Sequence, residues 1–519
     1  MSDRVLFRRG GVCGSAGAPD TVGRPENSVQ GGRGSRLVAT AATLVLIGAG
    51  CSSSSDDAKV IGAQPPDVPA ELACPVGALD TADGTTTITV WHSWTGLPAT
   101  TLEQIADVYN ASQDRVRVEV QAQGDYEELL AKYQNALADP SSLPDIVIQE
   151  ATALRFMVDS DSAVPAGACI EADASAGKFY DQVLPAVTGA YTVEDELWPA
   201  GFNVAQEVLY VNQDHLEAAG LSAEDLPETL DELRDVAEAI RSAALPGVEE
   251  PFVGLMDSWF LENQLAGVGQ EMVDRSNGRD GLAATSELDN ESSTATLEWL
   301  ASMHDAGLYR PIPHTQPVDT LLAMVSGTSS MLIGTSSAIT PVDAAFSGGV
   351  ETADLGVDDP SADELDAFRV TVAPGPGLGG AGRGRIGGMA WYLVDGDDAS
   401  VAASWDFISF SNRTENQVRW TLEGSYLPVS AAARKDPALV EAFGTTRRGR
   451  WLATAADSLR GIDPDFPGPV VGPYPQLVGG VRTAIERVVL EDQPVQRAVD
   501  DLDAGFQDEL TAYADEVKR

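Results

Sequence analysis

Apolar and polar positions along the chain fall into segments of clearly different period. Leu37 to Gly50 is a continuous, mainly apolar run behind Arg33 and Arg36; it stops at Cys51 and turns at once into SSSSDD. From Ser52 to about Thr81 there is no sustained period, only Ser, Asp and Pro in the proportions of a tether. At Thr85 the pattern changes: TTTITVW alternates as a strand does, and Leu102, Ile105, Ala106 and Tyr109 recur at helical spacing behind Pro98. Val116, Val118 and Val120 alternate again, Asp125 to Ala138 reads as a helix, and Pro144 leads into the short strand DIVIQ. A β-α-β-α-β order predicts a mainly parallel sheet covered on both faces. Ligands of such sheets sit beyond the carboxyl ends of the strands, here Trp91 to Thr95, Ala122 to Tyr126 and Gln149 to Thr152.

A second α/β region follows EVLYVNQ (Glu207 to Gln213). It holds the helical stretches PETLDELRDVAEAIR, TLEWLASMH and VDTLLAMVSG and the strand SMLIG. RIGGMAWYLV reads as a later strand, ASVAASWDFISFSN and ENQVRW as amphipathic helices, and Val495 to about Glu516 as a closing helix. A chain of roughly 430 ordered residues divides into more than one core, so two lobes with crossings between them are expected.

The opening apolar run is too short to cross a membrane, which takes about 20 residues. A basic flank, a short apolar core and Gly-Ala-Gly before the cysteine resemble a secretory signal ending in a lipobox, with Cys51 as the lipidated residue; Gly48 stands where such boxes usually have leucine. The alternatives are a plain secretory signal or a buried cysteine. The boundaries expected are a leader at 1–50, a tether at 51–83 and a folded region at 84–519. Hydrophobic residues make up 43% of the chain, enough for a large core. The net charge is −46, and −49 once the leader's +3 is removed, a field that disfavours nucleic acid as a partner. Cys74 and Cys169 form an even pair that an oxidising compartment permits as a disulfide, tying the entry of the domain to a loop near Ala166. The four histidines lack metal-ligand spacing, so no metal site is expected.

ITVWHSW, GDYEELLAK, LPDIVIQE, GFNVAQEVLYVNQDHLEAAGL, ETLDELRDVAEAI, SMLIGTSS, IGGMAWYLV, SWDFISFSNRTENQVRW and GSYLPVS run in one order from about Ile88 to Ser430. The series resembles the extracellular solute-binding proteins of ABC importers, in the group that takes sugars and glycerol-3-phosphate. The resemblance implies a two-lobed periplasmic-binding-protein-like fold, with hinge crossings and a ligand cleft that closes on the solute. Lobe I is expected at about 84–205 and 341–385, and lobe II at about 206–340 and 386–519. A monomer without cofactor or catalytic residue is implied, held by Cys51 to the outer face of the cytoplasmic membrane beside its permease.

By the same resemblance, the solute contacts are Tyr126, Glu150, Trp259, Ser336, Ser337, Gly387, Gly388, Tyr426 and Trp94. A carboxylate accepts sugar hydroxyls at fixed geometry, aromatic faces suit the C–H faces of a sugar ring, and glycine exposes backbone N–H groups. Trp94, Trp198 and Trp391 serve equally well as core. Two departures count against a phosphate: VVGPYPQ carries Val470 where phosphate-binding members keep an arginine, and FNVA carries Val204 and Ala205 where they keep hydroxyls. Arg383 and Arg385 would compensate if their loop faces the cleft. A carbohydrate is therefore the expected solute. A glycerophosphate or its diester is the alternative, and a secreted glycoside hydrolase working through paired carboxylates is the rival from another class. GPGLGG (Gly375 to Gly380) matches G-x-G-x-x-G only formally, since no helix opens behind it, and reads as a connection.

Overall fold

The computed structural model describes residues 74–346 and 368–517. The leader, Cys51 and most of the tether lie outside the described residues.

Two sheets organise these residues. The first contains β1 (Thr86–His92), β2 (Val116–Ala122), β3 (Ile146–Glu150), β4 (Ala163–Val164), β7 (Gly201–Ala205) and β13 (Gly387–Val394), in the order β2-β1-β3-β13-β4, with β7 also paired to β13. A two-stranded hairpin, β5 (Thr192–Val193) and β6 (Glu196–Leu197), stands apart. The second sheet contains β8 (Glu207–Asn212), β9 (Phe252–Met256), β10 (Tyr309–Pro313), β11 (Met331–Thr335) and β12 (Val370–Pro374), in the order β10-β9-β11-β8-β12.

Local chemistry accounts for the elements. Asp125 caps the helix Tyr126–Ala136 through a reciprocal capping box with Glu128, and Thr229 with Glu232 does the same for Leu230–Ala243. In the latter Leu230, Leu233, Val236, Ala237 and Ile240 form one buried stripe; each of its large aliphatic side chains contributes roughly 1.5–3 kcal/mol on leaving water. In β2, Val116 and Val118 are buried between exposed neighbours, as the alternation predicts.

The expected parallel sheet is confirmed on one flank and corrected on the other. β1 runs parallel to β2 and β3, but β13 enters antiparallel to β3, β4 and β7. In the second sheet β8 likewise lies antiparallel to β11 and β12. A chain that crosses between sheets and returns reverses the direction of its crossing strands, which a count of alternating elements does not reveal.

The crossing at Gln206 separates β7 from β8. On the return, the expectation placed 341–385 in lobe I and 386–519 in lobe II, whereas the strand pairing puts β12 in the second sheet and β13 in the first. Helices Asp398–Ser411 and Thr414–Gly424 then pack on the first lobe through Trp405, Phe407 and Trp420, while Tyr474–Leu490 and Val495–Val517 pack on the second. The physical reason is pairing: Val370 to Pro374 finds its partners along β8, and Met389 to Leu393 finds its partners along β3. A further cluster joins the lobes, including Trp91 and Val147 from one sheet, Val208 and Val253 from the other, and Trp451 and Leu452 beside them.

Cys74 and Cys169 are disulfide-bonded with Cα atoms 4.8 Å apart. The bond fastens the entry of the first lobe to the helix Ala166–Ala172, where a loop was expected.

Candidate functional site

The carboxyl ends of β1, β2 and β3 lie side by side at the edge of the first lobe that meets the second. Glu150 ends β3 opposite Met389 and accepts a hydrogen bond of 3.0 Å from Thr152 Oγ1. Burial raises its pKa above the ordinary glutamate value; Thr152 and Arg385 pull it down, while Asp257 and Glu262 push it up. The last three of these residues come from the second-lobe side, so Glu150 is electrostatically in contact with the opposite wall. Tyr126, at the start of its helix, keeps 45% of its surface exposed, yet its hydroxyl is pushed up to about 12 by burial and by the Glu150 carboxylate. The loops after β2 and β3 thus bring Tyr126 and Glu150 together.

The facing wall is built on the helix Ser258–Gly267. Asp257 caps it through the backbone N–H of Trp259 at 3.0 Å and is itself held by Arg482 at 2.7 Å. The Trp259 ring lies over Gly387: a Cβ there would stand 2.9 Å from Trp259 Cζ2. One turn further, the buried Glu262 pairs with Arg385 Nε at 2.6 Å and accepts a hydrogen bond from the Tyr474 hydroxyl. Arg385 also donates its backbone N–H to Asn263 at 2.9 Å. Burial alone would depress the Arg385 guanidinium, but Glu262 and Tyr474 hold it above its usual range.

The buried polar atoms around this site without a hydrogen-bond partner include the Tyr191 hydroxyl, Trp259 Nε1, Glu262 Oε1 and Arg385 Nε, the last held to Glu262 by charge. Tyr191 is stacked on Phe202 at 5.4 Å, and burial raises its hydroxyl, with Arg385 and Glu150 among the charges that act on it. An unpaired buried polar group costs about 1–3 kcal/mol, so groups of this kind point to a solute that completes them.

The remaining expected contacts are engaged with other protein groups. Trp94 is 4% exposed, donates Nε1 to the Tyr426 hydroxyl at 2.8 Å and packs on Trp420 at 5.2 Å, which makes it core. Tyr426 is buried behind Tyr126 and Glu150 with its hydroxyl engaged by Trp94. Ser336 is spent on the hinge, its Oγ accepting from Gln206 N–H at 2.9 Å and its N–H donating to the Gln206 carbonyl. Ser337 bonds Thr335. Gly388 has φ +113°, and a Cβ there would stand 2.0 Å from the Asn203 carbonyl, so it serves the close approach of β7 to β13. Trp391 is core, with its Nε1 on Asn203 at 2.6 Å. Val204, Ala205 and Val470 are all buried, and Arg383 is exposed. GPGLGG is a connection between β12 and β13.

Tyr191, Glu262 and Tyr474 carried no recognisable motif. The usable signal was Tyr474 within VVGPYPQ, the segment that also holds Val470, the position read as a missing arginine.

A family model described as bacterial extracellular solute-binding protein matches residues 104–443. The sn-glycerol-3-phosphate-binding periplasmic protein UgpB of Escherichia coli K12 is 24% identical over 436 residues, covering 83% of this chain and 93% of that protein. Among solved structures, the cyclic alpha-maltosyl-1,6-maltose binding protein of Arthrobacter globiformis superposes with a TM-score of 0.64 at 20% identity, covering 83% of this chain and 100% of that one. The GacH receptor of Streptomyces glaucescens, solved unliganded and with acarbose, gives 0.65 at 19% identity, with 83% and 99% covered. UgpB of Mycobacterium tuberculosis, in complex with glycerophosphocholine, gives 0.62 at 16%, with 83% and 99% covered. These likenesses establish the two-lobed fold.

Proposed function

The chain belongs to the bacterial extracellular solute-binding proteins, and from that premise we propose that it captures a carbohydrate-type solute between its lobes and delivers it to the permease of an ABC importer. The observation that carries the carbohydrate reading is the state of the charges. Arg385 is held by Glu262, Arg482 by Asp257, and Arg279 by backbone carbonyls, whereas Glu150 makes no ion pair among the described residues. A phosphate needs a cation free to receive it, and a polyol needs acceptors and donors such as Glu150, Trp259 Nε1 and the Tyr191 hydroxyl. The aromatic surfaces of Tyr126 and Trp259 suit the apolar faces of a pyranose ring.

The second reading, a glycerophosphate or its diester, has one observation in its favour: Arg385 is fastened to Glu262 and Asn263, on the same helix that carries Trp259. Binding of that kind takes Arg385 away from Glu262. Hydrolysis has less support, because the carboxylates that act on Glu150 are already committed, Asp257 to Arg482 and Glu262 to Arg385 and Tyr474.

Among the described residues no helix is long and apolar enough to cross a membrane. Attachment through a lipidated Cys51 keeps the protein at the membrane and raises its effective concentration at the permease.

Calorimetric titration of the protein against neutral mono- and oligosaccharides, and separately against glycerol-3-phosphate and its diesters, tests the assignment. Saturable heat from the sugars alone is expected. Saturation by the phosphate compounds alone moves the function to the second reading.

A further inference from the structure

Beside the solute site, and apart from the hinge strands, the two lobes meet a second time. Arg279 follows the turn Asp274–Gly278, in which Arg275, Ser276 and Asn277 have φ of 58°, 54° and 54° and Gly278 has +80°. Successive L-residues in the left-handed region are strained, and such a turn persists only where its surroundings over-determine it. Here the Asn277 side chain accepts from the backbone of Met272 at 2.8 Å, and the Asn277 carbonyl accepts from Val470 N–H at 2.8 Å.

The turn delivers Arg279 to the first lobe. Its guanidinium donates to the carbonyls of Gly189 at 3.3 Å and Ala190 at 3.1 Å, and also to that of Gly468. Gly189 and Ala190 end the helix Pro185–Ala190, where carbonyls have no partner within the helix and a cation is favoured. In return, the Arg279 carbonyl accepts from Glu194 N–H at 2.9 Å.

Glu194 links this contact to another. Its carboxylate lies 3.3 Å from Arg155, which pairs with Asp159 at 2.6 Å inside the first lobe. Asp159 also accepts, at 2.5 Å, from the hydroxyl of Tyr513 on the last helix of the second lobe. The Tyr513 ring covers Gly472, where a Cβ would stand 1.9 Å from the ring. One bonded network therefore runs from Tyr513 through Asp159, Arg155 and Glu194 to Arg279.

We propose that Arg279 and Tyr513 form a latch that draws the second lobe onto the first and sets the balance between closed and open lobes without touching the solute. Both are positioning residues. Within this network, parting of the lobes would leave Arg155 with Asp159 and give up the bonds of Arg279 to the first lobe and of the Tyr513 hydroxyl to Asp159. The latch is therefore reversible: it biases closure and leaves the solute's own differential affinity to complete it. Burial lowers the Arg279 guanidinium to about 10, consistent with a cation bonded to neutral carbonyls inside the closed contact.

The test uses Arg279→Met, Arg279→Lys and Tyr513→Phe without any solute, so its outcome is independent of what the cleft binds. Hydrogen exchange is followed at the Glu194 amide, and the radius of gyration is measured by X-ray scattering. The expected result is exchange at Glu194 faster by roughly tenfold or more in Arg279→Met, with a larger radius, partial recovery in Arg279→Lys, and unchanged protection in β1 and β9. Tyr513→Phe removes a single hydroxyl and shows the same direction should Arg279→Met fail to fold. Unchanged exchange and radius in Tyr513→Phe and in any folded Arg279 variant, or a loss of protection spread evenly through both sheets, overturns the latch.

Discussion

Glu262 and Arg385 meet at 2.6 Å in the wall of the cleft, both nearly removed from water, with the Tyr474 hydroxyl closing on the same carboxylate. The pair turns Arg385, a buried arginine whose charge acts on Glu150, from an anion receptor into part of the scaffold. Glu262→Gln should therefore leave an uncompensated buried cation and destabilise the protein by about 3–5 kcal/mol. The same variant should gain affinity for glycerol-3-phosphate, because Arg385 is released. Urea unfolding together with phosphate titration of the variant checks both halves; full stability with no gain in anion binding would separate the pair from specificity.

Glu150→Gln should weaken sugar binding by about 1–3 kcal/mol, the cost of losing a charged acceptor at a solute hydroxyl. Because the Glu150 carboxyl titrates above the ordinary glutamate value, sugar affinity should fall as the pH drops through that raised pKa. Calorimetry of parent and variant across the acid range is the check. A parent affinity indifferent to pH would take Glu150 out of the contact set.

At the crossing into β8, Glu207 is 5% exposed and receives a hydrogen bond from Asn263 at 3.0 Å. Burial pushes its carboxyl from 4.5 to about 8, with Asn263 opposing. The folded state then holds the proton more tightly than the unfolded chain, so this group's contribution is full below about pH 4.5 and is lost as the pH rises to about 8. Glu207→Gln should flatten that slope and be the more stable protein at pH 8, by a few kcal/mol at most. Unfolding midpoints of both proteins at roughly pH 5 and pH 8 decide the matter.

The two neighbouring glycines of β13 should behave differently. A methyl at Gly387 meets the edge of the Trp259 ring, so Gly387→Ala is expected to shift the indole and weaken sugar binding while the protein stays folded. At Gly388 the methyl meets the Asn203 backbone carbonyl and φ is +113°, so Gly388→Ala should cost stability outright, about 2 kcal/mol or more. Thermal unfolding and titration of the two variants distinguish a site effect from a fold effect.

Much of the first lobe was legible because its elements are local. The buried stripe of Leu102, Ile105, Ala106 and Tyr109 and the alternation of β2 each announce themselves within a dozen residues. The return crossings were not legible, since whether Val370 to Pro374 joins β8 depends on a partner more than 150 residues away. The site divides along the same line. Glu150 and Tyr126 fall within the strand-end ranges that pattern identifies, but like Trp259 they were singled out by resemblance. Tyr191, Glu262 and Tyr474 converge only through folding. Trp94, just past the end of β1, and Tyr426, just past the helix Thr414–Gly424, show the opposite limit: such aromatic residues suit a sugar platform and a core equally, and their mutual hydrogen bond commits both to the core.

The most direct measurement is a crystal structure of the protein with the sugar that binds most tightly in calorimetry. The sugar is expected between the lobes, with one hydroxyl on Glu150 and with the Tyr191 hydroxyl and Trp259 Nε1 bonded to its oxygens. A sugar bound outside the cleft, or a cleft occupied only by a phosphate compound on Arg385, would contradict this expectation.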